Sequence, residues 1–379
     1  MILQIGKKPS IVNLGRRAVL VLACLSAGLI PFRAFGKKTN QTIIEDPYDT
    51  AAGGSTLTRA TRENVILANP ALMPYGGKFH RWLGTQFTIM ANPESIDFVQ
   101  SMIGQGDGGG EEGEGGAAAF IERVFETPVH AGVQNITSYT TNNVGFSLFA
   151  RSELDISARE YGEYGMPELR FGVDAYAGGA LGLALRAMPF LSFGVTAKYL
   201  FVAEPDIAVS FLDQERIAEL SDAGALQEAA SYGNGLGFDG GFLLFLQGHN
   251  LDFRFTGKVE DVGGTSFTGT QAPFKQTLHA GAALTFHTDA DAIHLSVDYR
   301  DVQAAYEEPM FKRIYAGARM TIREYVGIAG GLYQGYPSFG ARLDLLLMKL
   351  GATVYTKELG DYPGANPRTI YQVYFMTGF

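Results

Sequence analysis

The sequence predicts an all-β fold, a transmembrane antiparallel β-barrel of about 14 strands. Three observations carry this. Charged residues make up 18% of the 379-residue chain, below the roughly 25% usual for soluble domains, while Gly reaches 48, Phe 26 and Tyr 18. Short segments alternate apolar and polar residues with period two. The links between them alternate in length, as in outer-membrane barrels with brief periplasmic turns and larger outside loops. A large soluble sandwich satisfies the composition but has no reason to alternate its links by parity.

Residues 1–36 read as a cleaved export signal. Lys7, Lys8, Arg16 and Arg17 form its basic start, Ala18–Ile30 its 13-residue apolar run, and Ala34 and Gly36 the small residues before cleavage. That run is short of the roughly 20 residues a spanning helix needs. Removing the signal takes away five positive charges and the single Cys, so the net charge falls from −9 to −14. The exported chain then has no disulfide to lean on. Its acidic balance argues against a nucleic-acid partner.

Strand-like segments fall at 79–91, 143–154, 168–176, 179–187, 191–202, 235–247 and 251–260. Others follow at 276–287, 292–300, 312–322, 325–333, 337–346, 348–357 and 369–379. The row Leu251, Phe253, Phe255, Gly257, Val259 opposes Asp252, Arg254, Thr256, Lys258, Glu260. Ile293, Leu295, Val297 and Tyr299 likewise oppose His294, Ser296, Asp298 and Arg300. Ile314, Ala316, Ala318, Met320 and Ile322 oppose Arg313, Tyr315, Gly317, Arg319 and Thr321. Alternation alone does not say whether the apolar rows face a core or lipid. Several charges per polar row, and aromatics near strand ends such as Tyr299, Tyr333 and Tyr355, favour lipid outside. The polar rows then face the lumen, with Arg254, His294, Ser296 and Asp298 as candidate lining residues. From the segment at 179–187 onward, short and long links alternate, with 334–336 brief among the long ones; the link 155–167 breaks the pattern, being long where a short one is due.

Two insertions lie between strands. Residues 101–117 form an acidic glycine-rich tract too polar to fold alone. Ser210–Ser231 is rich in helix formers and is expected to be a helix over the barrel mouth. At the far end Tyr371, Val373, Phe375 and Phe379 share one face, a pattern similar to the insertion signal read by the barrel-assembly machinery.

The run ATRENVILANPALM (Ala60–Met73), ahead of a Gly-containing aromatic strand, resembles the N-terminal region of the FadL-like outer-membrane proteins. The related barrel proteins of type IX secretion look similar too. Leu191–Phe201, Gly233–Phe245 and the tail from Val326 resemble strands of the same group, so the likeness covers most of residues 50–379. It implies a fourteen-strand barrel with its N-terminal segment folded inside as a plug. On that reading residues 37–78 are the plug, 79–379 the barrel, and Asn69-Pro70-Ala71-Leu72 a turn inside the plug. Pro70 fixes its own φ and pushes Asn69 to an extended conformation, which makes the turn rigid.

Catalytic patterns are scarce. There is no phosphate-binding glycine loop, no HExxH and no paired Cys. His294, Ser296 and Asp298 share a strand face, but neighbours two apart on a strand sit roughly 7 Å from one another, too far for a triad. The expectation is a non-enzyme with no cofactor and no metal. Two functions remain open: passage of a hydrophobic small molecule, fatty-acid-like or hydrocarbon, across the outer membrane; or a scaffold or secretion-linked anchor that binds proteins through loops 92–142 and 203–234. Outer-membrane lipid surrounds the chain in both. A Gly-rich stretch at Phe171–Leu183 would permit a kink in the wall.

Overall fold

The computed structural model of the chain describes residues 43–75, 81–93, 95, 128–159, 168–204, 206–210, 231–288, 291–323, 325–345, 347–359, 364 and 366–378. The export signal, the acidic tract at 101–117 and Phe379 lie outside the described residues. So does the expected helix at 210–231, apart from its two end residues, which belong to strands.

The described strands are β1 (Arg81–Ala91), β2 (Val129–Thr141), β3 (Val144–Arg159), β4 (Glu168–Met188) and β5 (Leu191–Glu204). Next come β6 (Asp206–Ser210), β7 (Ser231–Gln247), β8 (Leu251–Glu260), β9 (Thr277–His287) and β10 (Asp291–Tyr299). The wall finishes with β11 (Ile314–Ile322), β12 (Val326–Tyr333), β13 (Tyr336–Leu345), β14 (Met348–Glu358) and β15 (Pro367–Gly378). Every pairing is antiparallel, β1 pairs with β15, and β3 pairs with β4, so fourteen strands close into a barrel. The short β6 pairs with β4 just beyond β5 and prolongs it past residue 205.

Burial settles which way the rows face. On β8, Leu251, Phe253 and Phe255 are 44, 36 and 41% exposed, while Asp252, Thr256 and Lys258 are at most 5% exposed. The same inversion holds on β10; on β15 Tyr371, Val373 and Phe375 face out, while the inner row mixes Arg368 and Gln372 with Ile370, Tyr374 and Met376. Apolar side chains outside and polar ones inside define a membrane-spanning wall of the outer-membrane type.

Fourteen strands were expected and fourteen form the wall, but two differ from the expected set. Segments 168–176 and 179–187 are one strand, β4, paired with β3 residue for residue from Glu168 to Leu183. Gly178-Gly179 is therefore strand interior, where a Cβ on Gly178 would strike the Tyr199 carbonyl. The one register shift against β5 lies at Arg186/Met188, near the turn, so the described wall shows no kink at Phe171–Leu183. The strand that was not foreseen is β2. Its inward row of His130, Gln134, Ile136 and Ser138 and its outward row of Val133, Asn135, Thr137 and Tyr139 are both mixed, so it carries no clean alternation. Once β2 is in place, 160–167 falls at the long-loop end, where a long link is due. At the other end no connection exceeds three residues. The exception at the long-loop end is Gln334-Gly335, a two-residue hairpin with both φ positive (51° and 83°).

The N-terminal segment lies inside this wall as a plug. It contains α1 (Pro47–Ala51), α2 (Val65–Ala68) and a 3₁₀ turn at Pro70–Tyr75. Asp46 caps α1, accepting from the Tyr48 and Asp49 N–H groups at 3.0 Å each, with Pro47 at the first helical position. A third short helix, α3 (Met310–Arg313), sits in the loop before β11.

Candidate functional site in the barrel lumen

The lumen divides into an apolar seam and a polar lock. The seam joins plug residues Ile43, Ile44, Val65, Ile66, Leu72 and Met73 to wall residues on β2–β5 and β7. Among these are Ile136, Phe149, Tyr176, Ala184, Leu200, Val202 and Leu243, all at most 9% exposed. Tyr176 and Val202 lie towards the long loops, and Ala184 lies one residue pairing from the β2–β3 turn. The seam thus runs most of the length of the wall.

The lock holds plug backbone to inward polar side chains. Asp298 accepts from the Thr56 and Leu57 N–H groups at 2.7 and 2.9 Å. Ser296 meets Ser55, and Arg300 donates to the Gly54 carbonyl. Arg254 donates to the Thr58 carbonyl at 3.2 Å, and Lys258 to the Leu67 carbonyl at 2.7 Å, at the C-terminal end of α2 where a cation is favoured. Ser338 and Thr353 bond to the carbonyls of Ala51 and Pro47 at 3.0 and 2.8 Å. His294 is buried and its Nδ1 lies 2.7 Å from Thr285 Oγ1. His294, Ser296 and Asp298 therefore each have separate partners and form no relay.

Asn69 occupies the centre of the plug. Its backbone is extended (φ −165°, ψ 105°), as the following proline requires. Its side-chain amide donates to the Leu57 carbonyl at 3.1 Å and to Thr256 Oγ1 at 2.6 Å, and its oxygen accepts from the Ala71 N–H at 3.1 Å. Ala71 and Leu72 are buried in the seam. Two wall glycines make room for plug backbone: a Cβ on Gly194 would fall on Pro70–Ala71, and one on Gly317 on the Ala52 carbonyl.

Sequence reasoning passed over the ionic side of the plug. Asp49 is fully buried, with Oδ1 2.6 Å from Arg319 Nη1 but not aligned for a hydrogen bond. Burial pushes its carboxyl up to about 8, against the pull of Arg319. Arg59 goes the other way, lowered to about 10 by burial and then by Arg319, Arg254 and Arg342. The available signal was the arginines in the polar rows, which need counter-charges from somewhere inside. Tyr333 and Tyr355 also differ from expectation. They are 2% and 0% exposed and stack edge-on with each other at 5.0 Å inside the lumen, so they are no part of a lipid-facing girdle. At the C-terminal strand Tyr371, Val373 and Phe375 face outward, 48, 62 and 39% exposed.

The fold and its filled lumen define a plugged fourteen-strand outer-membrane barrel. No protein-family model and no curated protein matches the chain. Among solved structures, the chain is similar to the TodX deltaS2S3 mutant monoaromatic hydrocarbon channel. That match has a TM-score of 0.50 and 9% identity, over 88% of this chain and 97% of that one. The toluene transporter TbuX of Ralstonia pickettii matches with the same TM-score and coverages at 11% identity. At such identities the likeness is one of fold, and in fold the resemblance to the FadL-like barrels holds.

Proposed function

We propose that the chain, exported by its residues 1–36, sits in the outer membrane and passes a hydrophobic small molecule across it. The carrying observation is the apolar seam between plug and wall, which offers an apolar lining to a guest that displaces its side chains. The fold shared with channels described as carrying toluene and monoaromatic hydrocarbons supports the same reading. Long loops then face outside, and the short-turn end faces the periplasm.

A second reading, a scaffold that binds proteins through its loops, draws on the polar lock, which ties the plug to β8, β10, β13 and β14 with buried bonds. Mass spectrometry of organic extracts from the purified barrel separates the two, with a same-size barrel and a Leu72→Asp variant as controls. Transport predicts an enriched apolar species that Leu72→Asp loses. An extract no different from the controls, with a protein that stays bound, would favour the scaffold.

A further inference from the structure

At the long-loop end, the link between β8 and β9 turns into the lumen instead of away from it. Thr265 and Phe274 pair across it through two backbone bonds of 2.9 Å. It then lies along the inward row of β7, where the Thr268 and Thr270 N–H groups donate to the Asn234 and Tyr232 carbonyls at 2.8 and 3.1 Å. That row has room because it is glycine: a Cβ on Gly233 would strike the Thr268 carbonyl, and one on Gly235 the Phe267 ring. Phe274 is 1% exposed and meets Phe267 edge-on at 4.6 Å. This path sets Gln271 against the wall.

There Gln271 meets two carboxylates. Glu204, at the end of β5, accepts from Gln271 Nε2 at 2.8 Å and, on its other oxygen, from the Tyr176 hydroxyl. Asp174 on β4 stands opposite Glu204, one step beyond the Ala175–Ala203 pair, and Glu204 is the charged group that acts on it most. Like charges directly opposite on adjacent strands are destabilising. Lys357 and Arg151 also act on Asp174, but Glu153 holds them at 3.4 and 2.9 Å, and Glu45 lies 3.9 Å from Arg151. Among the described residues neither Asp174 nor Glu204 pairs with a cation.

Gln271 supplies an independent sign. It is 6% exposed, and its Oε1 is buried with no hydrogen-bond partner among the described residues. A half turn of the amide exchanges Oε1 with Nε2 and brings that oxygen to Glu204, where three acceptors would need a cation to join them. Among the described residues no three His, Cys, Asp or Glu side chains could hold a metal, so the amide is a necessary member of the set. All three donors offer oxygen, which suits a hard cation such as calcium over zinc or copper.

We propose that a divalent cation of the calcium class binds between Asp174, Glu204 and Gln271 and fastens the inward-folded link to the β4–β5 wall. Water completes its shell. The site is separate from the polar lock of the plug and does not rest on the transport reading. With so few protein ligands its affinity belongs to the weak extracellular class, Kd about 10⁻⁴–10⁻³ M.

The test is isothermal titration of calcium chloride into the full barrel in dodecyl maltoside, after removal of divalent ions with a chelator. Heat-modifiable mobility verifies that each variant is folded. The wild type is expected to take up calcium saturably, at least tenfold more tightly than Glu204→Gln or Asp174→Asn. Gln271→Glu, which supplies a third carboxylate, should tighten binding. Calcium should also slow trypsin cleavage after the exposed Lys275 in the wild type and not in Glu204→Gln. No saturable binding by the folded wild type, or binding that both Glu204→Gln and Asp174→Asn leave unchanged, would overturn the site. Calcium bound there without any slowing of the cut at Lys275 would overturn the fastening.

Discussion

Asp49 shows how a single buried carboxyl sets a condition on the plug. Inside the lumen it keeps its proton up to about pH 8; freed into water it would ionise near the usual ~4. The docked state therefore binds the extra proton between those values, and docking weakens as pH rises through that window. Raising pH from 5 to 9 should increase protease access to the plug or open-state conductance in planar bilayers. Asp49→Asn should flatten the dependence, since its amide is neutral throughout. A variant with the wild-type pH profile would exclude Asp49 as the source. Asn69 is a second sensitive point. Asn69→Ala removes the side-chain partners of the Leu57 carbonyl and the Ala71 N–H, which costs about 1–3 kcal/mol of docking. Conductance measured beside the wild type should rise accordingly.

Strands with one apolar and one charged row were readable in the sequence because lipid and lumen impose opposite demands on alternate residues. β8, β10 and β11 are of this kind. β2 was not, since both of its faces carry small and polar residues. Gly178-Gly179 imitates a turn in sequence, yet its missing side chains serve a close strand approach. The lumen site was harder still. Arg254, Asp298 and their neighbours could be placed in polar rows, but their partners are plug atoms nearly two hundred or more residues away, such as Thr58 and Leu57. No local pattern encodes such a pairing. Gly194 allows a direct test at this scale. Gly194→Leu puts a side chain where Pro70–Ala71 lies, so the plug should be displaced while the barrel remains heat-modifiable, with small-solute permeability above wild type. Unchanged permeability would mean that this contact does not seat the plug.

Taken whole, the molecule is a wall closed by backbone pairing between its own strands, with no plug element in the ring. Deleting Lys37–Gly77 should leave the barrel assembled and raise small-solute uptake, read by antibiotic sensitivity or liposome swelling. Impermeable barrels after that deletion would mean the plug is not the seal. Phe379 belongs to the proposed signal for the barrel-assembly machinery. Its deletion should reduce the heat-modifiable form in the membrane several-fold, and normal assembly would remove that role.

The closed ring and the plug's distant partners also dictate an order of events. The Pro47 carbonyl is bonded by Thr353, 306 residues further on, and β1 meets β15 only when the last strand is present. The part of the barrel made first therefore finds its final neighbours last. Such long-range closure is intrinsically slow. Until β10 to β14 are in place the plug has half a socket, and its buried acids and arginines remain hydrated. Closure of the ring and completion of the plug's socket thus depend on the same late strands.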